Sequence, residues 1–248
     1  MNTEKNISLK SGKIEVDRVY NYEKFSEETC KIIQGKLSEK IVMKTEFDIE
    51  NVKNIAGVDL AYWEKEGIEY AVCCVVIVDG NSKEIIESVH CVGEIECPYI
   101  AGYLAFREIP LVIEAVRKLK NIPDLYIFDG NGYLHPRHMG IATHAAICLE
   151  KPSIGVAKSY YKINNTDFEM PENIEGAYTD IVINNEVYGR VLRTHKDVKP
   201  IFVSVGNYID LETSTKIVKS MVGKESHIPI PTRLADLETH KMREIYKK

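Results

Sequence analysis

The chain has no apolar run near the roughly 18 residues that a membrane-spanning helix requires. Its first stretch, Met1 to Asp17, is polar and mixed in charge, without the apolar centre of a secretory signal. Both absences point to the cytoplasm and away from a membrane. No internal repeat, low-complexity tract or Gly/Ser-rich linker divides the 248 residues, a length that suits a single α/β domain. Cysteine is scarce at six, and Cys91 and Cys97 lack the short spacing of a zinc knuckle. Reduced, mostly buried thiols are expected; the adjacent Cys73 and Cys74 should point to opposite faces of one strand. A phosphate-cradling loop is missing too: Gly223-Lys224 lacks the earlier glycine, because residue 218 is Val. That disfavours a nucleotide-binding enzyme of the P-loop class. Excess positive charge is also absent. The net charge of −5 runs against the basic character of most nucleic-acid binders. A cluster of acidic metal ligands would lower the total while a local basic rim still met phosphates, so bulk charge excludes neither reading.

What is present is a globular composition, 44% apolar and 28% charged, with clear periodicity. Helical spacing runs from Asn21 to Lys40, through Phe25, Cys30, Ile33 and Leu37. Strand-like runs follow at Ile55–Tyr62, Tyr70–Asp79 and Glu84–Val92, the last two joined by a turn-forming Asp79-Gly80-Asn81-Ser82. A helix is expected over Tyr103–Lys120, interrupted by Pro110, then a strand at Leu125–Asp129 and a helix at His138–Glu150. Ser153–Ala157 is a second short strand. Both short strands are apolar without alternation, as parallel strands covered on both faces should be. Strands at Ala177–Asn184, Glu186–Arg193 and Ile201–Val205 precede helices at Asp210–Val222 and Thr232–Tyr246. Gly223 is placed as a C-cap, with Pro229 and Pro231 keeping the connection extended. Three strands, then helix, strand, helix, strand, is the element order of ribonuclease H-like α/β folds: a mixed central sheet flanked by helices.

Three carboxylates stand where apolar residues belong. Asp59 interrupts the core strand Ile55-Ala-Gly-Val-Asp-Leu-Ala-Tyr62; burying its charge costs several kcal/mol unless a cation or hydrogen bonds compensate. Pairing with a lysine or capping an amide would also explain it. Asp129 ends Leu125-Tyr-Ile-Phe128 and begins Asp-Gly-Asn-Gly132, at the strand end where α/β sheets collect ligands, although Asp-Gly also forms turns. Glu108 shares a helical stripe with Leu104, Leu111, Ala115 and Leu119, unless the helix begins at Pro110 and leaves its facing open. Together, three acids from separate elements form a hard-oxygen set suited to Mg²⁺ or Mn²⁺, and point to metal-assisted phosphodiester hydrolysis. Lys158, after the second short strand, is either a solvated lysine or a partner for phosphate. His135-Pro-Arg-His138 either starts a helix or adds donors nearby, and Gly130 and Gly132 either build a turn or admit a ligand to the backbone.

These residues resemble the endonuclease V family. The resemblance rests on Ile55–Tyr62, on Pro98-Tyr-Ile-Ala-Gly-Tyr-Leu-Ala-Phe-Arg-Glu108, and on Asp129-Gly-Asn-Gly-Tyr-Leu-His-Pro-Arg-His-Met-Gly-Ile-Ala-Thr-His144. Gly155-Val-Ala-Lys-Ser159 adds to it, with a weaker echo in Pro231-Thr-Arg-Leu-Ala-Asp236. It covers the chain from about residue 20, so residues 21–248 are expected to form one catalytic domain and residues 1–20 a poorly structured extension. The resemblance implies a magnesium-dependent enzyme, with manganese able to substitute. It would nick the second phosphodiester bond 3′ to deoxyinosine, leaving 3′-hydroxyl and 5′-phosphate ends, and so begin repair of deaminated adenine.

It implies roles as well. Asp59 and Asp129 would bind the metal, Glu108 would be the third catalytic carboxylate, and Asp236 would assist the metal centre. Lys158 and His135 would contact the backbone around the scissile phosphate. Pro98, Tyr99, Ile100 and Ala101 match a wedge that separates strands, Tyr99 stacking in the gap left by an extruded base. Gly102, Leu104, Ile141, Gly155 and Ala157 would build the base pocket, and Gly132 would let the backbone approach it. Ala101 stands where relatives usually carry proline, which should loosen the wedge. Val205 does so too, in what reads as a loop. The partner implied is inosine-containing DNA, or inosine-containing RNA, taken by a monomer. Two rivals share the fold, a binding module that does not cut and another ribonuclease H-like nuclease. The costly acids disfavour the first and the Pro98-Tyr99 segment the second.

Overall fold

The structure, a computed structural model, describes residues 26–248. The proposed N-terminal extension and the start of the first expected helix lie outside the described residues. Helix α1 spans Glu27–Ser38 and begins there because Ser26 is extended and its side chain accepts from the Thr29 amide. Expectation had placed the start at Asn21.

Strands β1 (Asn54–Lys65), β2 (Ile68–Asp79) and β3 (Ile85–Glu94) form an antiparallel meander. Asp79 closes its second turn by accepting from the amides of Asn81 and Ser82. Helix α2 (Leu104–Val116) follows, then β4 (Leu125–Asp129), helix α3 (Ile141–Leu149) and β5 (Ser153–Ala157). Strands β6 (Tyr178–Ile183), β7 (Glu186–Leu192) and β8 (Ile201–Asn207) and helices α4 (Leu211–Ser220) and α5 (Ile230–Tyr246) complete the described chain. The eight strands are ordered β3-β2-β1-β4-β5-β8-β7-β6, and β1, β4 and β5 run parallel.

The sheet has two covered faces. Ile55, Leu125, Ile127, Ile154, Val156 and Val203 point to one, beneath Ile217 and Val218 of α4 and Ala235 of α5. Ala56, Val58, Val75, Tyr126 and Phe128 point to the other, beneath Ile109 and Val112 of α2 and Ala142 and Ala145 of α3. Cys73 and Cys74 fall on opposite faces as expected, and all six cysteines are free.

Several expectations need correcting. Helix α2 continues through Pro110 and ends at Val116 rather than Lys120, and α3 starts at Ile141 because His138 has a left-handed backbone (φ +56°). Gly223 caps nothing: α4 ends at Ser220 with Met221 as its cap, and Pro231 lies in the first turn of α5. Val205, the last residue of the expected strand Ile201–Val205, lies inside a strand that runs on to Asn207, so Ser204–Asn207 is not a loop. The expected fold class, α/β and ribonuclease H-like, stands.

Candidate active site

Strand register brings the first two carboxylates together. Ile55 pairs with Leu125 and Val58 with Phe128, so the next position on each strand is Asp59 and Asp129. Side chains alternate along a strand, which puts both acids on the Ile55 and Ile127 face, beneath α5. That helix contributes Asp236 and Thr239. The α5 start lies so close to Gly57 that a Cβ there would come within 2.0 Å of the Pro231 carbonyl carbon. Only glycine admits this approach.

One carboxylate oxygen from each of Asp59, Asp129 and Asp236 falls within 4.8 Å of the others. Oxygen ligands of Mg²⁺ at 2.0–2.1 Å lie at most about 4.2 Å apart, so a small contraction would let all three bind one ion. The donor set therefore fits a hard divalent cation. Its electrostatics agree. Burial, and then the charge of Asp129, lift the Asp59 carboxyl to about 7, while the Thr239 hydroxyl, donating across 2.8 Å, opposes the rise. Burial raises Asp129 as well, outweighing Lys158. A cation would relieve this crowding of like charges.

Lys158 is no free surface lysine. Its Nζ lies 2.6 Å from Asp129 Oδ2 and 2.9 Å from Asp236 Oδ1. Burial would lower its pKa, but the two carboxylates raise it, so the ammonium stays charged.

Glu108 reaches the region from the opposite layer. It is buried on α2, accepts from the Tyr62 hydroxyl, and lies outside the group of three mutually close carboxylates. Burial lifts it to about 7, and Asp59 and Asp129 lie near enough to add to the rise.

The loop that follows Asp129 leads to a cavity of about 440 Å³ counting its open mouth, lined in part by Tyr99, Gly102, Leu104, Asn131, His135 and Ile141. Three of the five expected pocket residues, Gly102, Leu104 and Ile141, are in its wall. Gly155 instead supports the Asp129 loop: a Cβ there would lie 2.4 Å from Gly132 N. Ala157 packs with Leu134, Ile163 and Phe202. Gly132 is fastened from behind, its amide donating to Ser204 Oγ (2.8 Å) while the Tyr133 amide donates to the Val205 carbonyl (2.6 Å).

The Gly102 carbonyl is the hub of the cavity wall. It accepts from Gln34 Nε2 (3.0 Å), His135 Nε2 (3.0 Å) and Arg137 Nη2 (2.8 Å), with Gly102 itself at φ +83°. His135 Nδ1 accepts from the amides of Arg137 and Met139, so its proton resides on Nε2. Burial lowers His135 to about 4, leaving the ring neutral. Tyr99 is 67% exposed at the mouth, with Pro98 and Ile100 beside it in the same loop. Tyr62, Thr239, Ser204 and Gln34 were not singled out from sequence. Nothing local marks them, because each acts through a partner far away in the chain.

A ribonuclease H-like sheet that gathers carboxylates on two parallel strands, with a lysine among them, defines a metal-assisted phosphodiester hydrolase. Comparison with known proteins narrows this. The endonuclease V family model matches residues 35–237. The chain is 64% identical over 211 residues to an endonuclease V of Bacillus thuringiensis, covering 85% of this chain and 90% of that protein. A crystal structure of the Bacillus subtilis endonuclease V is 53% identical, with a TM-score of 0.89 and coverage of 92% and 97%. A Ciona intestinalis endonuclease V, 28% identical with a TM-score of 0.77, covers 87% and 97%. It was solved in complex with a 24mer DNA containing an inosine followed by a ribo-adenosine. The chain belongs to the endonuclease V family. It is a deoxyinosine-directed endonuclease, with the metal dependence typical of that family. No helix among the described residues is long and apolar enough to cross a membrane.

Proposed function

We propose that the protein nicks DNA at the second phosphodiester bond 3′ to deoxyinosine, leaving 3′-hydroxyl and 5′-phosphate ends, as a cytoplasmic monomer using Mg²⁺ or Mn²⁺. Residues 21–248 act as one catalytic domain. The observation that carries this reading is the convergence of Asp59, Asp129 and Asp236, with a cavity whose wall includes Asn131, two residues beyond Asp129.

Asp59 and Asp129, with Asp236, hold the ion. Once bound, it would supply Lewis acidity to the scissile phosphate and lower the pKa of a water. Asp59, lifted to about 7, must give up its proton to serve as a ligand. Glu108, near 7 as well, orients the attacking water or takes its proton. Lys158 places a fixed positive charge where negative charge gathers on the phosphate in the transition state. Tyr99, with Pro98, Ile100 and Ala101, fills the gap left by the extruded base. The cavity walled by Gly102, Leu104, His135 and Ile141 receives it. Hypoxanthine lacks the exocyclic amine of guanine and carries an oxygen where adenine has an amine, so a close-fitting wall can prefer it.

The test is cleavage of end-labelled oligonucleotides carrying one deoxyinosine, or one inosine in RNA, by the wild type and Asp59→Ala in Mg²⁺ and in EDTA. One nick beyond the nucleotide 3′ to deoxyinosine, absent in the variant and in EDTA, supports the reading. Cutting that ignores the inosine removes it, and a clear preference for the RNA moves the substrate assignment.

A further inference from the structure

A second concavity lies on the far half of the sheet, lined by Glu175, Gly176, Thr194, His195, Lys219 and Lys224, among others. Its chemistry is unlike the base cavity. Lys219 and Lys224 are exposed, and neither forms an ion pair among the described residues, whereas Lys216 on the same helix is 3.7 Å from Glu212. Glu175 is the one acid in the lining. Gly176 leaves the floor open under Lys219: its φ is +83°, and a Cβ there would lie 2.7 Å from Lys219 Nζ.

Topology places this concavity on the catalytic edge. Ala157, just before Lys158, pairs with Phe202 at the start of β8, and Phe202 pairs with Val191 near the end of β7. The chain leaving β7 therefore emerges at the same end of the sheet as Lys158 and carries Thr194 and His195. The lateral offset is two strand spacings, about 10 Å, close to three base steps of a nucleic-acid strand at about 3.4 Å each. His227 joins the two places. Its carbonyl accepts from Thr194 Oγ1 (2.9 Å), and its ring is made less basic by burial, then by His195 and by Lys158.

We propose that Lys219, Lys224 and His195 form a backbone-phosphate site that holds the nucleic-acid strand a few nucleotides from the scissile bond. The site rests on the nuclease reading but carries no base preference. It explains how a chain of net charge −5 would grip a polyanion: two lysines with no ion pair among the described residues are set on the catalytic edge, beyond the carboxylates that repel phosphate.

The test separates this site from the cutting reaction. Binding of a plain duplex without inosine is measured in EDTA by fluorescence anisotropy across a salt series, for the wild type, the double variant K219Q/K224Q and the control K216Q. Each lost phosphate contact should flatten the log–log salt dependence by about 0.9, so the double variant should fall short of the wild type by roughly 1.8. The control should match the wild type, and inosine-containing and plain duplexes should lose affinity equally. Cleavage is read in parallel, with KM raised and kcat kept. An unchanged slope in K219Q/K224Q overturns the site, as does an equal flattening in K216Q. Protection of the wild type by inorganic phosphate in thermal melts, lost in the double variant while duplex binding is unchanged, makes the ligand a free anion and also overturns it. If the slope falls but the wild type ignores inosine, the phosphate site stands and the inosine reading fails.

Discussion

The carboxylate cluster and the cavity proposed to take the base are built by different means. Asp59 and Asp129 are placed by the hydrogen-bonded register of β1 and β4, and Asp236 by a helix lying directly on Gly57. The cavity wall is a loop, and its shape depends on one carbonyl, Gly102, caught by three side-chain donors from residues as far apart as Gln34 and Arg137. Backbone register holds reacting atoms to fractions of an ångström, while side-chain clasps suit a loop that, on the proposed function, admits and releases a base. The two regions should therefore fail in different kinetic parameters.

The sharpest contrast comes from Asp129→Asn. The amide keeps the shape and can still accept from Lys158, but it removes a charge proposed to hold the metal. A fall in kcat on the order of 10³-fold is expected, with binding of an inosine-containing duplex in EDTA undiminished. A parallel loss of binding would show that the two regions are not separable.

Next in size is Gly57→Ala. The added methyl meets the Pro231 backbone, so α5 must move and carry Asp236 and Thr239 with it. Misplacing a catalytic group by about 1 Å costs roughly 10²-fold, and overpacking costs about 1–3 kcal/mol of stability. Both should appear together, as lower kcat and lower Tm with KM little changed. Wild-type activity in this variant would mean that α5 does not position the cluster.

Gln34→Ala addresses the cavity. It removes one donor from the Gly102 carbonyl and leaves Arg137 Nε without its acceptor. At a cost of about 1–3 kcal/mol for a buried unpaired group, KM for the inosine substrate should rise roughly tenfold while kcat stays within about twofold. A fall in kcat at constant KM would refute the loop's role in binding.

The same contrast sets what could be read in the sequence. Asp59 and Asp129 were legible because a charged residue inside an apolar strand violates a local pattern. Glu108 was half legible: its helical stripe predicted burial, and the structure adds that it enters from the layer opposite Asp59. Lys158 carried no local sign of its two carboxylate partners; its strand-end position left a solvated lysine and a phosphate partner both open, and the family resemblance chose between them. Gln34 was hidden because its partners lie 68 and 103 residues away. The strand through Val205 was legible from its apolar run, but its continuation to Asn207 was not, because Gly206 and Asn207 carry no strand signal of their own. Helix ends were missed where one residue takes an unexpected backbone conformation, as Ser26 and His138 do.

The smallest effect expected is a pH dependence of stability in the metal-free enzyme. Burial and the nearby Asp129 charge give Asp59 a folded pKa of about 7, against an ordinary value of 3.8. Between those values the folded state holds a proton that the unfolded state has released, so stability falls as pH rises through this window and levels off above it. Asp59→Asn cannot ionise, yet its side chain still accepts from Thr239. Measured in EDTA, the Tm of the variant minus that of the wild type should grow steadily from pH 5 to about pH 7, reflecting a free-energy change on the order of a few kcal/mol at most. Glu108, lifted to about 7 by its own burial, leaves a residual slope of the same sign in both proteins. Saturating Mg²⁺ should reverse the comparison above pH 7, because the wild-type carboxylate then gains a ligand that the amide holds poorly. A Tm difference that stays flat with pH in EDTA would mean that Asp59 is already ionised without the metal, and that the strand register does not force the charges into conflict.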